Sequence, residues 1–290
     1  MNFLDVKTDY AFKKVFASVD SKPRLIEFLN AIVYKDSKVK IKDLTIVDPY
    51  NIPMLKGMKD TFVDVKAVLE NDTTVIIEMQ VLNHNGFEKR ILYNAAKNYS
   101  IQLNKKEEYN LLNPVIALSI VDFTMFKETK KYVNRFKLLE KDEFINYTDD
   151  IELIFIELPK FKKDLKELET IQEQWIYFIK NAGSLEYIPK GLNSHIRNAL
   201  DTVNEANLTK EELEVQHKRK EFISIQKLAI LKATNDGFDK GIEQGIEEGI
   251  KQGEKKKQLE IVKNLLKVGI DIETISISTG ISKEEIKCLQ

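Results

Sequence analysis

Asp64, Lys66, Glu78 and Gln80 fall at alternating positions of two apolar segments, 62–69 and 74–81. Side chains alternate faces along a strand. Val63, Val65, Ala67 and Leu69 therefore share a face, and so do Val75, Ile77, Met79 and Val81. If these apolar sets form one side of a hairpin, Val65 lies opposite Met79, Leu69 opposite Val75 and Lys66 opposite Glu78. The four polar side chains then converge on the other side. Two carboxylates, an amide and an amine on one patch of apolar strand are costly unless paired or bound to a metal. An Asp and a Glu facing the same way can hold a divalent cation such as Mg²⁺, which takes one or two carboxylates and fills its remaining positions with water and substrate oxygens. That is a chemistry for phosphodiester hydrolysis. The plain alternative is a half-exposed hairpin with ordinary polar residues on its wet side. Convergence also sets a parity: a two-residue turn at Asn71-Asp72 would put Asp64 and Glu78 on opposite faces. A three-residue loop at 71–73, or a bulge, is therefore expected.

The rest of the chain must hold this hairpin in place. Phe12, Val15 and Phe16 have helical spacing within 4–16. Pro23 fits the first turn of a second helix carrying Leu25, Ile26, Phe28, Leu29 and Ile32. Residues 39–47 read as a strand and 48–53 as a loop. After the hairpin, 86–103 is helical, and the apolar run at 114–121 suits a strand buried on both faces. Further strands are expected at 132–138 and 151–158. The order helix, three strands, helix, strand describes an α/β fold.

After Pro159 helices are expected at 161–168, 171–179, 194–206 and 211–234, with Trp175 in core packing. A repeat follows in which Gly237, Gly241, Gly245, Gly249 and Gly253 recur every fourth residue. Each glycine inside a helix costs about 1 kcal/mol relative to alanine. With Ile242, Ile246 and Ile250 beside them, the glycines suit either close helix packing in a homodimer or a loose connector. Residues 261–290 read as short helices, with Gly269 as a stop and Ser282 to Glu285 as a capping box. The expected divisions are 1–160, 161–236, 237–254 and 255–290.

Composition narrows the function classes. The 290 residues are 43% apolar and 31% charged, with net charge −1, so any polyanion partner must be met by a local patch. Arg90, Tyr93 and Lys97, three and four residues apart on one helix face, are such a patch for a DNA backbone, or else an ordinary solvated face. A single cysteine, Cys288, excludes an intrachain disulfide and suits a reducing cytoplasm. The N-terminal segment lacks the apolar core of a signal peptide, and no apolar run approaches the ~20 residues of a membrane helix. His84 is expected at the surface, and His195 and His217 lack metal-ligand spacing.

Asp64, Glu78-Met-Gln80 and Thr8-Asp9-Tyr-Ala-Phe-Lys-Lys-Val-Phe16 together resemble the Rpn family of recombination-promoting nucleases, also called PD-(D/E)xK family transposases. Lys59, Asp64-Val-Lys-Ala67, Arg90-Ile-Leu-Tyr93 and the stretch from Pro114 to Phe123 extend the likeness, which covers about residues 1–235 plus the glycine-repeat tail. The resemblance implies a restriction-endonuclease-like αβββαβ core and a metal-dependent DNA endonuclease. It implies Asp64 and Glu78 as ligands of Mg²⁺ or another divalent cation, with Asp9 as an additional acid. Gln80 takes the place of the motif's lysine, and Val63 that of its proline. Lys66 is a candidate replacement for the missing cation, or an ion-pair partner of Glu78. Because Gln80 is neutral, the alternative function is a non-catalytic DNA-binding or interaction protein that keeps the nuclease fold.

Overall fold

In the computed structural model, which describes residues 1–51 and 61–289, the chain opens with α1 (Asp9–Phe16) and α2 (Lys22–Ile32). Ala11, Phe12, Val15 and Phe16 of α1, and Leu25, Phe28, Leu29 and Ile32 of α2, are buried, as their three- and four-residue spacing requires. Next come β1 (Leu44–Val47), β2 (Tyr50–Asn51), β3 (Thr61–Phe62), β4 (Val65–Leu69) and β5 (Thr74–Gln80). Then follow α3 (Phe87–Ser100), β6 (Val115–Val121), β7 (Val133–Leu139), β8 (Asn146–Glu157), α4 (Ile171–Asn181), α5 (Ser194–Thr202) and α6 (Lys210–Lys267).

One six-stranded sheet in the order β1-β4-β5-β6-β8-β7 organises these elements. Strands β5, β6 and β8 run parallel, and the flanking pairings are antiparallel. The step from β5 through α3 to β6 is a parallel crossover, which needs a helix to return the chain to the same end. One sheet face packs Val65, Ala67, Val75, Ile77 and Ile120 against the core side chains of α1, α2, α4 and α5. The opposite face packs Ile76, Val115 and Ala117 against Phe87, Ile91 and Ala95 of α3. Every residue of β6 is buried, as its nearly unbroken apolar run predicts.

The chain divides into two compact units, Met1–Ser224 and Ile225–Gln290. The first holds the sheet and its helices. The second holds the rest of α6 with α7 (Ile272–Thr279) and α8 (Lys283–Lys287), around a small core of Val262, Ile275 and Ile286. Asp271 caps α7 by accepting from Thr274 N at 2.9 Å, and Ser282 caps α8 by accepting from Glu285 N at 3.3 Å.

Several expectations are corrected. The strand expected at 39–47 covers only Leu44–Val47. Within the expected loop, Tyr50 and Asn51 pair with Phe62 and Thr61; residues 52, 53 and Lys59 lie outside the described residues. No α-helix forms at 161–168. Asp164 and Glu167 instead close a capping box around the short turn Leu165–Glu167, a local bonding pattern that competes with helix. The glycine repeat is helical and lies within α6.

The hairpin register is also corrected. Val65 pairs with Ile77 and Ala67 with Val75, two residues from the expected alignment. A three-residue loop forms, but at 70–72, closed by Leu69 N donating to Thr73 O at 2.9 Å, with Asp72 at φ 62°. Lys66 therefore lies opposite Ile76, not Glu78.

Candidate active site

Glu78 and Gln80 occupy the C-terminal end of β5, where the chain leaves the sheet for α3. Because β4 is antiparallel to β5, its beginning meets that same end. Asp64 sits there, immediately before β4, in a break between β3 and β4. The break shows in the packing: Val63 belongs to the α3 side of the sheet and Val65 to the opposite side, although two residues normally restore the face. At this point Asp64 N still donates to Ile77 O at 3.1 Å, while Asp64 Oδ2 accepts from Met79 N at 2.7 Å. The side chain supplies an acceptor for a strand amide beside the break.

Asp64 and Glu78, with Asp9, Gln80, Lys7 and His84, line a cleft of about 560 Å³. Asp9 stands at the start of α1 and pairs with Lys13 at 2.8 Å; Lys13 lies 4.0 Å from Asp64. Burial pushes the Asp64 carboxyl up to about 6, against the Met79 amide, and the charge of Asp9 raises it further. Burial likewise pushes Glu78 up to about 7, outweighing the Arg90 guanidinium, with the charge of Asp64 adding to the rise. Arg90, on the first turns of α3, donates to Glu78 Oε1 and, at 2.7 Å, to Gln80 Oε1. Gln80 Nε2 donates to Leu82 O at 2.7 Å, which fixes the amide so that its oxygen faces Arg90. An amide at position 80 can accept from Arg90; a lysine there would repel it.

A family model described as PD-(D/E)XK nuclease family transposase matches residues 6–233. The chain belongs to that family. No curated protein and no solved structure matches it. The six-stranded mixed sheet with its β5–α3–β6 crossover fits the restriction-endonuclease-like fold of PD-(D/E)XK nucleases.

The structure brings Asp9, Asp64, Glu78 and Gln80 to one cleft and leaves other candidates apart. Lys66 is not among the described residues that line it; Lys66 pairs with Val47 and Ile76 on its neighbouring strands, and Asp48 is a charge near it. The stripe of Arg90, Tyr93 and Lys97 does not form one exposed surface. Arg90 turns to Glu78, Tyr93 is 39% exposed, and Lys97 is only 4% exposed. Lys97 is thus no solvent-facing phosphate contact. Two contributions went unread in the sequence. One is the contact of Arg90 with both motif residues. The other is the wall built by Lys218, Arg219 and Phe222 of α6. A phenylalanine placed just after Lys218-Arg219-Lys220 was the available signal.

The donor set fits a divalent cation. Among the described residues no three His, Cys, Asp or Glu side chains surround a common point. Two carboxylates with free coordination positions are nevertheless what Mg²⁺ accepts. Glu78 Oε2 is buried with no hydrogen-bond partner, an arrangement that a bound cation relieves.

Proposed function

We propose that the protein is a metal-dependent DNA endonuclease that hydrolyses phosphodiester bonds in recombination or mobile-element processes. The observation that carries this reading is the pair of buried carboxylates, Asp64 and Glu78, raised to about 6 and about 7 in one open cleft. Asp64 and Glu78 would hold Mg²⁺ or a similar ion. Bound there, such an ion polarises a phosphoryl oxygen and lowers the pKa of a water. Asp9 adds negative charge beside Asp64. Gln80 orients Arg90, and Arg90 supplies the positive charge that the motif's lysine would otherwise bring to the phosphate. The protein acts in the cytoplasm. It does so as a homodimer joined through the glycine repeat.

A second reading, a non-catalytic DNA-binding protein, draws on the Arg90–Glu78 ion pair, which neutralises one carboxylate without a metal. Plasmid nicking separates the two. Wild type should nick only with Mg²⁺ or Mn²⁺, and Asp64→Asn, which keeps an acceptor for Met79 N, should not nick. Intact plasmid after incubation of wild type with either metal would leave the non-catalytic reading standing.

A further inference from the structure

A second cavity, of about 670 Å³, adjoins the carboxylate cleft. The two share His84, and Arg90, which lines the second cavity, hydrogen-bonds Glu78 and Gln80 of the first. Joined through His84 and Arg90, they make one groove. Exposed aromatic rings line both parts: Phe62, 67% exposed, and Tyr93, 39% exposed, in one, and Phe222 of α6, 59% exposed, in the other. Phe62 is stacked on Tyr50 with ring centroids 4.5 Å apart. Phe222 is placed by the docking of α6 onto α1: Tyr10 Oη donates to Glu212 Oε1 at 2.5 Å, and Arg219 lies two turns further along the same side of α6. Cations line both parts as well, Lys89 and Arg90 on α3 in one and Lys7 and Arg219 in the other.

We infer that this groove binds an unpaired nucleic-acid strand, with bases stacked on Phe62 and Phe222 and the intervening phosphates met by Arg90 and its neighbouring cations. Exposed aromatic faces set among cations are a platform for bases. A base inside an intact duplex is already stacked on both sides and offers no face to a protein ring. Cations alone would serve a duplex equally well; the exposed rings are what select an unpaired strand. The inference names the substrate class of the site proposed above and rests on that reading for its cutting step only.

Binding is measured on the full-length protein in EDTA, so that nothing is cut, with a labelled oligothymidine strand and a labelled blunt duplex as probes. The strand should bind at least about tenfold more tightly than the duplex. Phe222→Ala and Phe62→Ala should each weaken strand binding about 5- to 150-fold, the range for one lost stacking partner, and leave duplex binding unchanged. Phe222→Trp should retain the affinity, whereas Phe222→Leu, equally apolar, should lose it. Arg219→Ala should weaken both probes and flatten the salt dependence. Equal affinity for strand and duplex, or strand binding indifferent to both alanine variants, would overturn the inference. If neither plasmid nor the oligothymidine strand is cut with Mg²⁺ but the strand preference and its loss in the variants are seen, the endonuclease reading falls and this one stands. If plasmid is nicked without any strand preference, the reverse holds.

Discussion

Replacing Glu78 by Gln in the metal-free protein should raise its stability at neutral pH and leave it unchanged in acid. Glu78 ordinarily titrates at 4.5, and burial, offset by Arg90 and reinforced by Asp64, lifts it to about 7. Between those values the folded protein keeps a proton that the unfolded chain releases, so stability falls as pH rises through the window. The gap from 4.5 to about 7, at about 1.36 kcal/mol per pH unit, corresponds to ~3 kcal/mol. The side chain is 12% exposed, so solvent screening removes little of this. The amide of the Glu78→Gln variant carries no such penalty. Arg90 loses its ion pair, but at 41% exposure it is rehydrated at a cost of about 0–1 kcal/mol. For a unit of the size of Met1–Ser224, a gain of ~3 kcal/mol raises Tm by roughly 6–12 °C. Trp175, the only tryptophan and fully buried in that unit, reports the transition by fluorescence. Melts in EDTA from pH 4 to 8 should diverge progressively. Asp64, lifted from 3.8 to about 6, leaves both proteins a shared fall in stability that ends near pH 6. Adding Mg²⁺ at pH 8 should raise the wild-type Tm and have little effect on the variant. Wild-type and Glu78→Gln curves that run parallel from pH 5 to 8, or a variant less stable at pH 8, would refute the reasoning.

Gln80→Lys, which restores the family's motif lysine, should reduce nicking, because two cations then compete beside Glu78; Gln80→Lys combined with Arg90→Ala should recover it, and Arg90→Ala alone should cost about 100-fold. Undiminished nicking by the single Gln80→Lys variant would show that Arg90 is not the site's cation. The glycine repeat is tested by sedimentation: Gly245 and Gly249 have open space where a Cβ would sit, so leucine at both should raise helix propensity by roughly 1 kcal/mol each and convert a dimer to monomer. A monomeric wild type, or a dimer unchanged by both leucines, would remove the homodimer from the proposal.

The sheet's core was legible because its signals are local. β6 is a nearly continuous apolar run, α1 and α2 repeat their apolar residues at helical spacing, and the parity of the hairpin correctly required a three-residue loop. What escaped was where that loop sits. Glu70, Asn71, Asp72 and Thr73 offer two placements of equal parity, and only Asp72 in the left-handed region decides between them. The register error carried Lys66 to Glu78. The break at Asp64 was invisible for a related reason: period-two reasoning assumes an unbroken strand, and Val63 keeps its apolar character on whichever face it lands. Asp9, Asp64, Glu78 and Gln80 were findable as a set because the motif names them. Arg90 was read as a backbone contact because helical spacing shows which residues share a face and not which strand that face meets. The wall of α6 needed the Tyr10–Glu212 contact, which spans most of the first unit and leaves no pattern in sequence.

The hydrogen bonding of Asp64 and Glu78 differs, and this has an evolutionary consequence. Asp64 holds the amide of Met79 and Glu78 leaves one oxygen without a partner, while burial of either charge weakens the fold near neutrality. In a lineage released from selection for cutting, stability alone preserves an acceptor at position 64, a part that an uncharged asparagine also fills, and makes no such demand at position 78. Decay should therefore leave aspartate or asparagine at position 64 and let position 78 drift. A descendant that keeps such an acceptor without Glu78 then records the survival of a sheet junction and gives no sign that the chemistry persists.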